Sequence, residues 1–219
     1  MEPEYITVNR KAHDKFADQH AKRHEEVGKY DLTDEQWKKI LTENLLKKDT
    51  RNLVLEIGPG TGRMLAIFEE LNCRTCAIEL SSKMIEYAKQ RSPRTTFAQV
   101  NVLEAKLESN LFDAIFMGAV IHNFPKEDAR KLLQLIRTWL KEDGKTLIYT
   151  TIHEKSEEGF YEKQDYEGNI VRFRKKFTEP ELKELLEEEG FEITYTMHTS
   201  EPDRQKNWLT YIVKKGENK

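Results

Sequence analysis

The spacing of hydrophobic positions changes twice along this 219-residue chain, dividing it into three stretches. Over the first fifty residues apolar positions recur at helical spacing. Leu32-Thr33-Asp34-Glu35-Gln36-Trp37 carries a capping box, Thr33 with Gln36, and a hydrophobic staple between Leu32 and Trp37; Ile40, Leu41 and Leu45 continue that face. From residue 52, short apolar runs alternate with helical segments. Strands are predicted at 53–57, 75–80, 95–102, 112–117 and 145–151, with helices at 63–71, 81–91 and 126–140. After residue 152 the rhythm changes again. Residues 154–169 are polar with interspersed aromatics (Phe160, Tyr161, Tyr166). Phe177-Thr178-Glu179-Pro180-Glu181-Leu182 repeats the staple and capping box before a helix ending at Gly190, and 191–197 and 208–213 read as an antiparallel pair at the sheet edge.

Strands alternating with helices predict βαβ units. The expected fold is α/β: a doubly wound, mostly parallel seven-stranded sheet with an antiparallel edge strand, helices on both faces and an N-terminal helical cap. The near-continuous apolar run Ala114-Ile115-Phe116-Met117 suits a central strand of such a sheet. The length fits one domain. It divides into a cap (1–49), a core (50–152), an insert (153–177) and a closing helix with strands (178–219).

Composition narrows the function classes. Apolar residues make up 37% and charged residues 34% of the chain, which describes a globular domain with a densely charged surface. A net charge of −3 provides no global field favouring nucleic acid or an acidic membrane. The N-terminus MEPEYITVNRK has no apolar h-region and no stretch reaches the roughly 18 apolar residues of a membrane span, so a cytoplasmic setting is expected. Cys73 and Cys76 form a lone C-x-x-C, and Cys76-Ala77-Ile78 is apolar. Core cysteines are the expectation, rather than a zinc site.

The informative segment is Glu56-Ile57-Gly58-Pro59-Gly60-Thr61-Gly62-Arg63, a glycine-rich turn between strand and helix. Such a turn lets backbone approach a ligand closely. Arg63 stands where a dinucleotide fingerprint wants its third glycine, and Glu56 would repel a pyrophosphate but attract an ammonium group. Glu79 ends the second strand, where an acidic side chain can accept both hydroxyls of a ribose.

Taken together, E-I-G-P-G-T-G (56–62), A-I-E-L-S (77–81) followed by Met84, F-D-A-I-F (112–116) and V-I-H-N-F-P (120–125) resemble the class I S-adenosylmethionine-dependent methyltransferases of the small-molecule type. The resemblance implies S-adenosyl-L-methionine as cofactor, with S-adenosyl-L-homocysteine as product. It implies a cofactor site built from Glu56, Gly58, Gly60, Gly62, Glu79, Leu80, Met84, Asn101, Val102 and Met117. In that reading the glycine loop cradles the methionine part, Glu79 holds the ribose and Asn101 meets the adenine, its carbonyl accepting from an exocyclic amine.

The chemistry implied is in-line displacement at the methyl carbon, driven largely by alignment and exclusion of water. A base is needed only where the nucleophile must lose a proton first. His122, in a segment resembling the H-H-x-P of small-molecule methyltransferases, and His153, after the fifth strand, are the candidate catalytic residues; either can instead be structural. His20 and His24 share a helix face, but no acidic third ligand is evident and no metal is expected. The boxes of base-methylating and arginine-methylating enzymes are absent, so the expected acceptor is an O or N centre of a small molecule. The aromatics of the insert are expected to shape an apolar acceptor pocket. In Val171-Arg172-Phe173-Arg174 the expected pattern is Val171 and Phe173 inward, with both arginines solvated. Rival readings are an RNA or protein methyltransferase using the basic run 172–176, and a non-catalytic S-adenosylmethionine-binding module. A monomer or homodimer is expected.

Overall fold

A computed structural model describes residues 2–25, 31–163, 167–201 and 206–216. Helices α1 (Glu4–Glu25) and α2 (Asp34–Ile40), the latter continuing into a π-helical turn at Leu41–Leu45, precede strand β1 (Leu53–Ile57). Then follow α3 (Arg63–Glu70), β2 (Arg74–Glu79), α4 (Ser82–Arg91), β3 (Thr96–Gln99), β4 (Phe112–Gly118), α5 (Lys126–Trp139) and β5 (Leu140–Thr151). A hairpin of β6 (Glu157–Lys163) and β7 (Ile170–Lys176), helix α6 (Glu179–Glu188), β8 (Phe191–Glu201) and β9 (Lys206–Lys215) complete the fold.

The main sheet has seven strands in the order β3-β2-β1-β4-β5-β9-β8. Strands β1 to β5 pair in parallel, and β9 runs antiparallel to both β5 and β8, as the sequence pattern predicts. Strand β4 shows why its sequence is almost wholly apolar. Ala114 and Phe116 enter one core with Trp37, Leu41 and Phe68, while Ile115 and Met117 enter the other with Leu132, Leu133, Ile136 and Trp139 of α5. Helices therefore cover both faces, and the parallel strands end along one edge of the sheet, where open α/β folds bind ligands.

Local boundaries depart from the predicted ones for identifiable reasons. Strand β3 stops at Gln99 because Asn101 caps a short 3₁₀ turn, its Oδ1 accepting the Leu103 N–H at 3.1 Å. Strand β5 begins at Leu140 rather than Lys145, directly after α5, where Leu140 pairs with Phe112. The α2 capping box forms in full and its staple residues, Leu32 and Trp37, are buried. At α6 only the Thr178 arm forms, because the Glu181 carboxylate turns to Lys175 at 2.9 Å.

Candidate active site

The carboxyl ends of β1, β2, β4 and β5 open into a cavity of about 290 Å³, roofed by α1. Polar bonds at several points along the roof hold it in place. Tyr5 donates to Asp128 (2.7 Å), Ser81 donates to Asp14 (2.5 Å) and Tyr87 donates to Asp18 (2.9 Å). Asn9 bridges two elements, donating to the Asn123 carbonyl (3.1 Å) and accepting the Phe173 N–H (2.8 Å).

At the β1–β2 end, Glu79 braces the glycine loop. One oxygen accepts the Gly60 N–H (3.1 Å), and the other accepts those of Leu80 (2.7 Å) and Ser81 (2.9 Å). Burial pushes its carboxyl above the usual range despite these three donors. Glu56 is buried and its Oε2 has no hydrogen-bond partner. Burial, reinforced by the charge of Glu79, holds the Glu56 carboxyl well above the usual glutamate range, which favours its neutral form. An unsatisfied buried carboxyl facing a cavity fits a ligand that brings a cation or a donor. Gly60 has a φ of +55°, and a Cβ there would lie 3.4 Å from the His20 ring; at Gly58 a Cβ would meet Val120 at 2.6 Å. Leu80, Met84, Asn101 and Val102 also line the cavity. Together these residues fit the adenosyl and methionyl groups that the motifs imply.

Two of the anticipated cofactor contacts are set elsewhere. Met117 is fully buried in the core on the α5 side and does not line the cavity, because the pleat of β4 turns Phe116 and Gly118 toward it instead. Gly62 is a packing residue: a Cβ there would lie 2.8 Å from the Ala88 backbone of α4. Asn101 lines the cavity; its carbonyl accepts the Leu103 N–H with one of its two lone pairs, and its amide is a donor.

At the β4–β5–β9 end, His122 lines the cavity with only 1% of its surface exposed, its Nδ1 2.7 Å from Thr150 Oγ1. Burial first, then the charges of Arg174 and Arg172, hold its pKa well below the usual histidine value, so the ring is neutral near pH 7. His153 is a correction. The chain leaves the sheet at Ile152, which bridges to Phe177; the His153 N–H bonds the Phe177 carbonyl, and its exposed ring is not among the residues lining the cavity. The pocket aromatics also differ from expectation. Phe160 is exposed and packs edge-on against Phe173, away from the cavity, and Tyr166 lies outside the described residues. The wall is instead Trp37, Tyr149 and Trp208. Tyr149 stacks on Trp208 at 4.3 Å, and Trp37 meets Tyr149 edge-on at 5.2 Å. These three come from distant parts of the chain, and no local motif brings them together.

The basic run is split rather than continuous. Val171 is exposed, while Arg172 and Arg174 line the cavity, which reverses the expected facing of Val171 and the two arginines. Lys175 is buried against Glu181, and Lys176 pairs with Glu157 at 3.0 Å. Four basic residues so divided make no phosphate-tracking surface, which counts against the nucleic-acid reading. His20 Nδ1 lies 3.3 Å from Thr61 Oγ1, and the His24 side chain lies outside the described residues. Among the described residues no group of three metal-ligating side chains occurs, and no helix is long and apolar enough to cross a membrane. Cys73 is buried and Cys76 half-buried, both as free thiols that burial pushes up in pKa.

Comparison with known proteins agrees with this geometry. Residues 29–196 match the family described as "Methyltransferase domain". An uncharacterized methyltransferase of Anoxybacillus flavithermus (strain DSM 21510 / WK1) is 25% identical over 185 residues, 78% of this chain and 82% of that protein. A phosphoethanolamine N-methyltransferase of Plasmodium falciparum (isolate 3D7) is 30% identical over 115 residues, 51% of this chain and 42% of that enzyme. The structure of the 1,6-didemethyltoxoflavin-N1-methyltransferase of Burkholderia thailandensis, with bound 1,6-didemethyltoxoflavin and S-adenosylhomocysteine, shares the fold. Its TM-score is 0.74 over 99% of this chain and 92% of that one, at 21% identity.

Proposed function

Since the chain belongs to the methyltransferase-domain family, the class I S-adenosylmethionine-dependent enzymes, we propose that it methylates an oxygen or nitrogen atom of a small-molecule acceptor. The observation that carries this reading is the roofed cavity, whose loop end fits the donor and whose far end is closed by side chains. A covered cavity of this kind suits a metabolite better than a polymer. Two relatives support it by name, one acting on phosphoethanolamine and one on 1,6-didemethyltoxoflavin. The whole chain is read as one methyltransferase domain.

S-adenosylmethionine, when bound, supplies a methyl group on a positively charged sulfur whose departure needs no acid. The protein's part is to bind, orient and exclude water. Glu79 has one lone pair left, on the oxygen that accepts from Gly60, for a ribose hydroxyl, and Glu56 meets the ammonium end. Phe124, Met84 and the apolar face of α1 keep the reacting atoms dry. Neutral His122 is oriented through Thr150, and in the tautomer whose Nδ1–H donates to Thr150 Oγ1 its Nε2 is the acceptor for the nucleophile's proton. A low pKa makes it a weak base, which suits a nucleophile that becomes acidic only as its new bond to carbon forms.

The test is incubation of the full-length protein with methyl-labelled S-adenosylmethionine and a metabolite extract, with products identified by mass. Label is expected in one small molecule. Label found only in RNA or protein, or in no product at all, would contradict the proposal.

A further inference from the structure

The turn after β4 holds a hydrogen-bonding atom that the fold itself leaves unused. Ala119 sits there in left-handed backbone, at a φ of +58°, which costs a residue with a Cβ free energy. Hydrogen bonds hold it in place. The Ala119 N–H donates to the Tyr149 carbonyl of β5 at 2.7 Å, and Asn123 Nδ2 donates to the Ala119 carbonyl at 3.1 Å. Asn123 is fixed through its own backbone as well. Its N–H donates to the Val120 carbonyl at 2.8 Å, and its carbonyl accepts from Asn9 of the roof at 3.1 Å.

The bond to Ala119 decides how the Asn123 amide is turned. Only the amide nitrogen can donate to a carbonyl, so the nitrogen faces Ala119 and Oδ1 takes the other side. Oδ1 is buried and has no hydrogen-bond partner among the described residues. Asn123 lines the cavity, as do Ala119 and His122. A buried amide oxygen without a donor is costly, and in a cavity wall it fits a ligand that brings the donor.

A second acceptor stands next in the chain. His122 precedes Asn123 in the 3₁₀ turn Ile121–Asn123, their Cα atoms about 3.8 Å apart. In the tautomer whose Nδ1–H donates to Thr150 Oγ1, its Nε2 is an acceptor. Two acceptors on consecutive residues suit a group with two hydrogens to give. A primary amine has two N–H bonds and keeps a lone pair. A hydroxyl has one O–H and would leave one acceptor unpaired.

We infer that the methyl acceptor is a primary amine, whose N–H bonds are received by Asn123 Oδ1 and His122 Nε2 while its lone pair faces the methyl donor. The inference rests on the methyltransferase reading of the cavity and narrows its acceptor atom to nitrogen. The lone pair of the neutral amine forms the N–C bond, and the C–S pair returns to sulfur, leaving a neutral thioether. Positive charge passes from sulfur to nitrogen, so no base is needed in the step. Both hydrogen bonds strengthen as that charge develops, which favours the transition state over the bound amine. The methylated ammonium loses its proton to water after release. Asn123 is thus a specificity-determining residue in contact with the substrate.

Aniline, phenol and toluene are similar in size, neutral near pH 7, and carry two, one and no hydrogens to donate. Calorimetric titration of each into the full-length protein saturated with S-adenosylhomocysteine reads the subsite without turnover. Aniline is expected to bind about tenfold tighter than toluene, with phenol between them. N123L should cut that preference to about threefold or less, and N123D, which keeps an acceptor oxygen, should retain it. S-adenosylhomocysteine binding by both variants shows that they fold. Equal binding of the three probes, binding of none, or a preference that N123L leaves intact would overturn the inference. Weakened S-adenosylhomocysteine binding in N123L, restored in N123D, would place Oδ1 against the donor and overturn it as well. Turnover gives an independent reading on the wild type, with a carbon-13 methyl donor and a metabolite extract. The transferred methyl should carry the shift of N–CH3, and that of O–CH3 would overturn the inference. A wild-type protein that binds no S-adenosylhomocysteine would instead defeat the underlying reading, so the two failures are distinguishable.

Discussion

Replacing Glu79 by alanine is expected to cost the protein both stability and cofactor affinity. The carboxylate accepts three backbone N–H groups, from Gly60, Leu80 and Ser81, at a residue only 7% exposed. Alanine leaves all three without an acceptor, and the loop that should receive the methionyl group loses its brace. Orphaned buried donors cost about 1–3 kcal/mol each, and water entering from the cavity recovers part of this, so about 2–4 kcal/mol is expected, or about 5–12 °C in Tm. Affinity for S-adenosylhomocysteine should fall about 100-fold, since the loop disorders and the ribose hydroxyl loses its partner. Glu79→Gln keeps one acceptor oxygen and should fall between. Thermal unfolding and calorimetry on the three proteins check this, and an alanine variant with wild-type Tm and affinity would refute it.

Gly62→Ala is expected to damage the fold without touching the cavity. Gly62 caps α3 at a φ of +84°, and its missing Cβ would sit 2.8 Å from the Ala88 Cα and 3.0 Å from the Ala88 Cβ. Left-handed backbone penalises alanine by about 1–2 kcal/mol and overpacking adds about 1–3 more, for a loss near 3 kcal/mol. The nearest clash is with backbone, so Ala88→Gly should rescue little of it. Full rescue by that second substitution, or no loss of Tm in Gly62→Ala, would show that the α3–α4 contact is looser than the structure has it.

The proposed donor end is readable in the sequence because its parts are local. Glu56, the glycine turn and Glu79 each sit at a strand end, and a parallel sheet brings consecutive strand ends together whatever the rest of the chain does. The acceptor end depends on pairings that no short window contains. Arg172 and Arg174 face the cavity because of how the β6–β7 hairpin packs against α1, a placement no local pattern contains. Trp208 reaches the cavity because β9 pairs with β5, opposite Thr151. His153 follows the fifth strand at the ligand-binding edge of the sheet, but the chain turns off at Ile152 and carries its side chain away from the cavity lining. Met117 differs from its cavity-lining neighbours Phe116 and Gly118 by one residue of pleat phase, enough to turn a side chain to the other face. The roof is the least legible part, since α1 is mostly polar: its small apolar face of Tyr5, Ile6, Ala12, Phe16, Ala17 and Ala21 is buried, and scattered hydrogen bonds pin its polar side.

The most direct test of the account is calorimetric titration of S-adenosylhomocysteine into the full-length protein at several pH values. One saturable site is expected, and it should vanish in Gly60→Val, where a β-branched residue would have to adopt a φ of +55° and fill the cradle. The pH dependence has a definite sign. Free Glu56 keeps its proton above the ordinary glutamate range; an arriving ammonium group ionises it, so binding should release a proton and tighten as pH rises through that window. A wild-type protein that shows neither heat nor thermal stabilisation at millimolar S-adenosylhomocysteine would contradict the central claim.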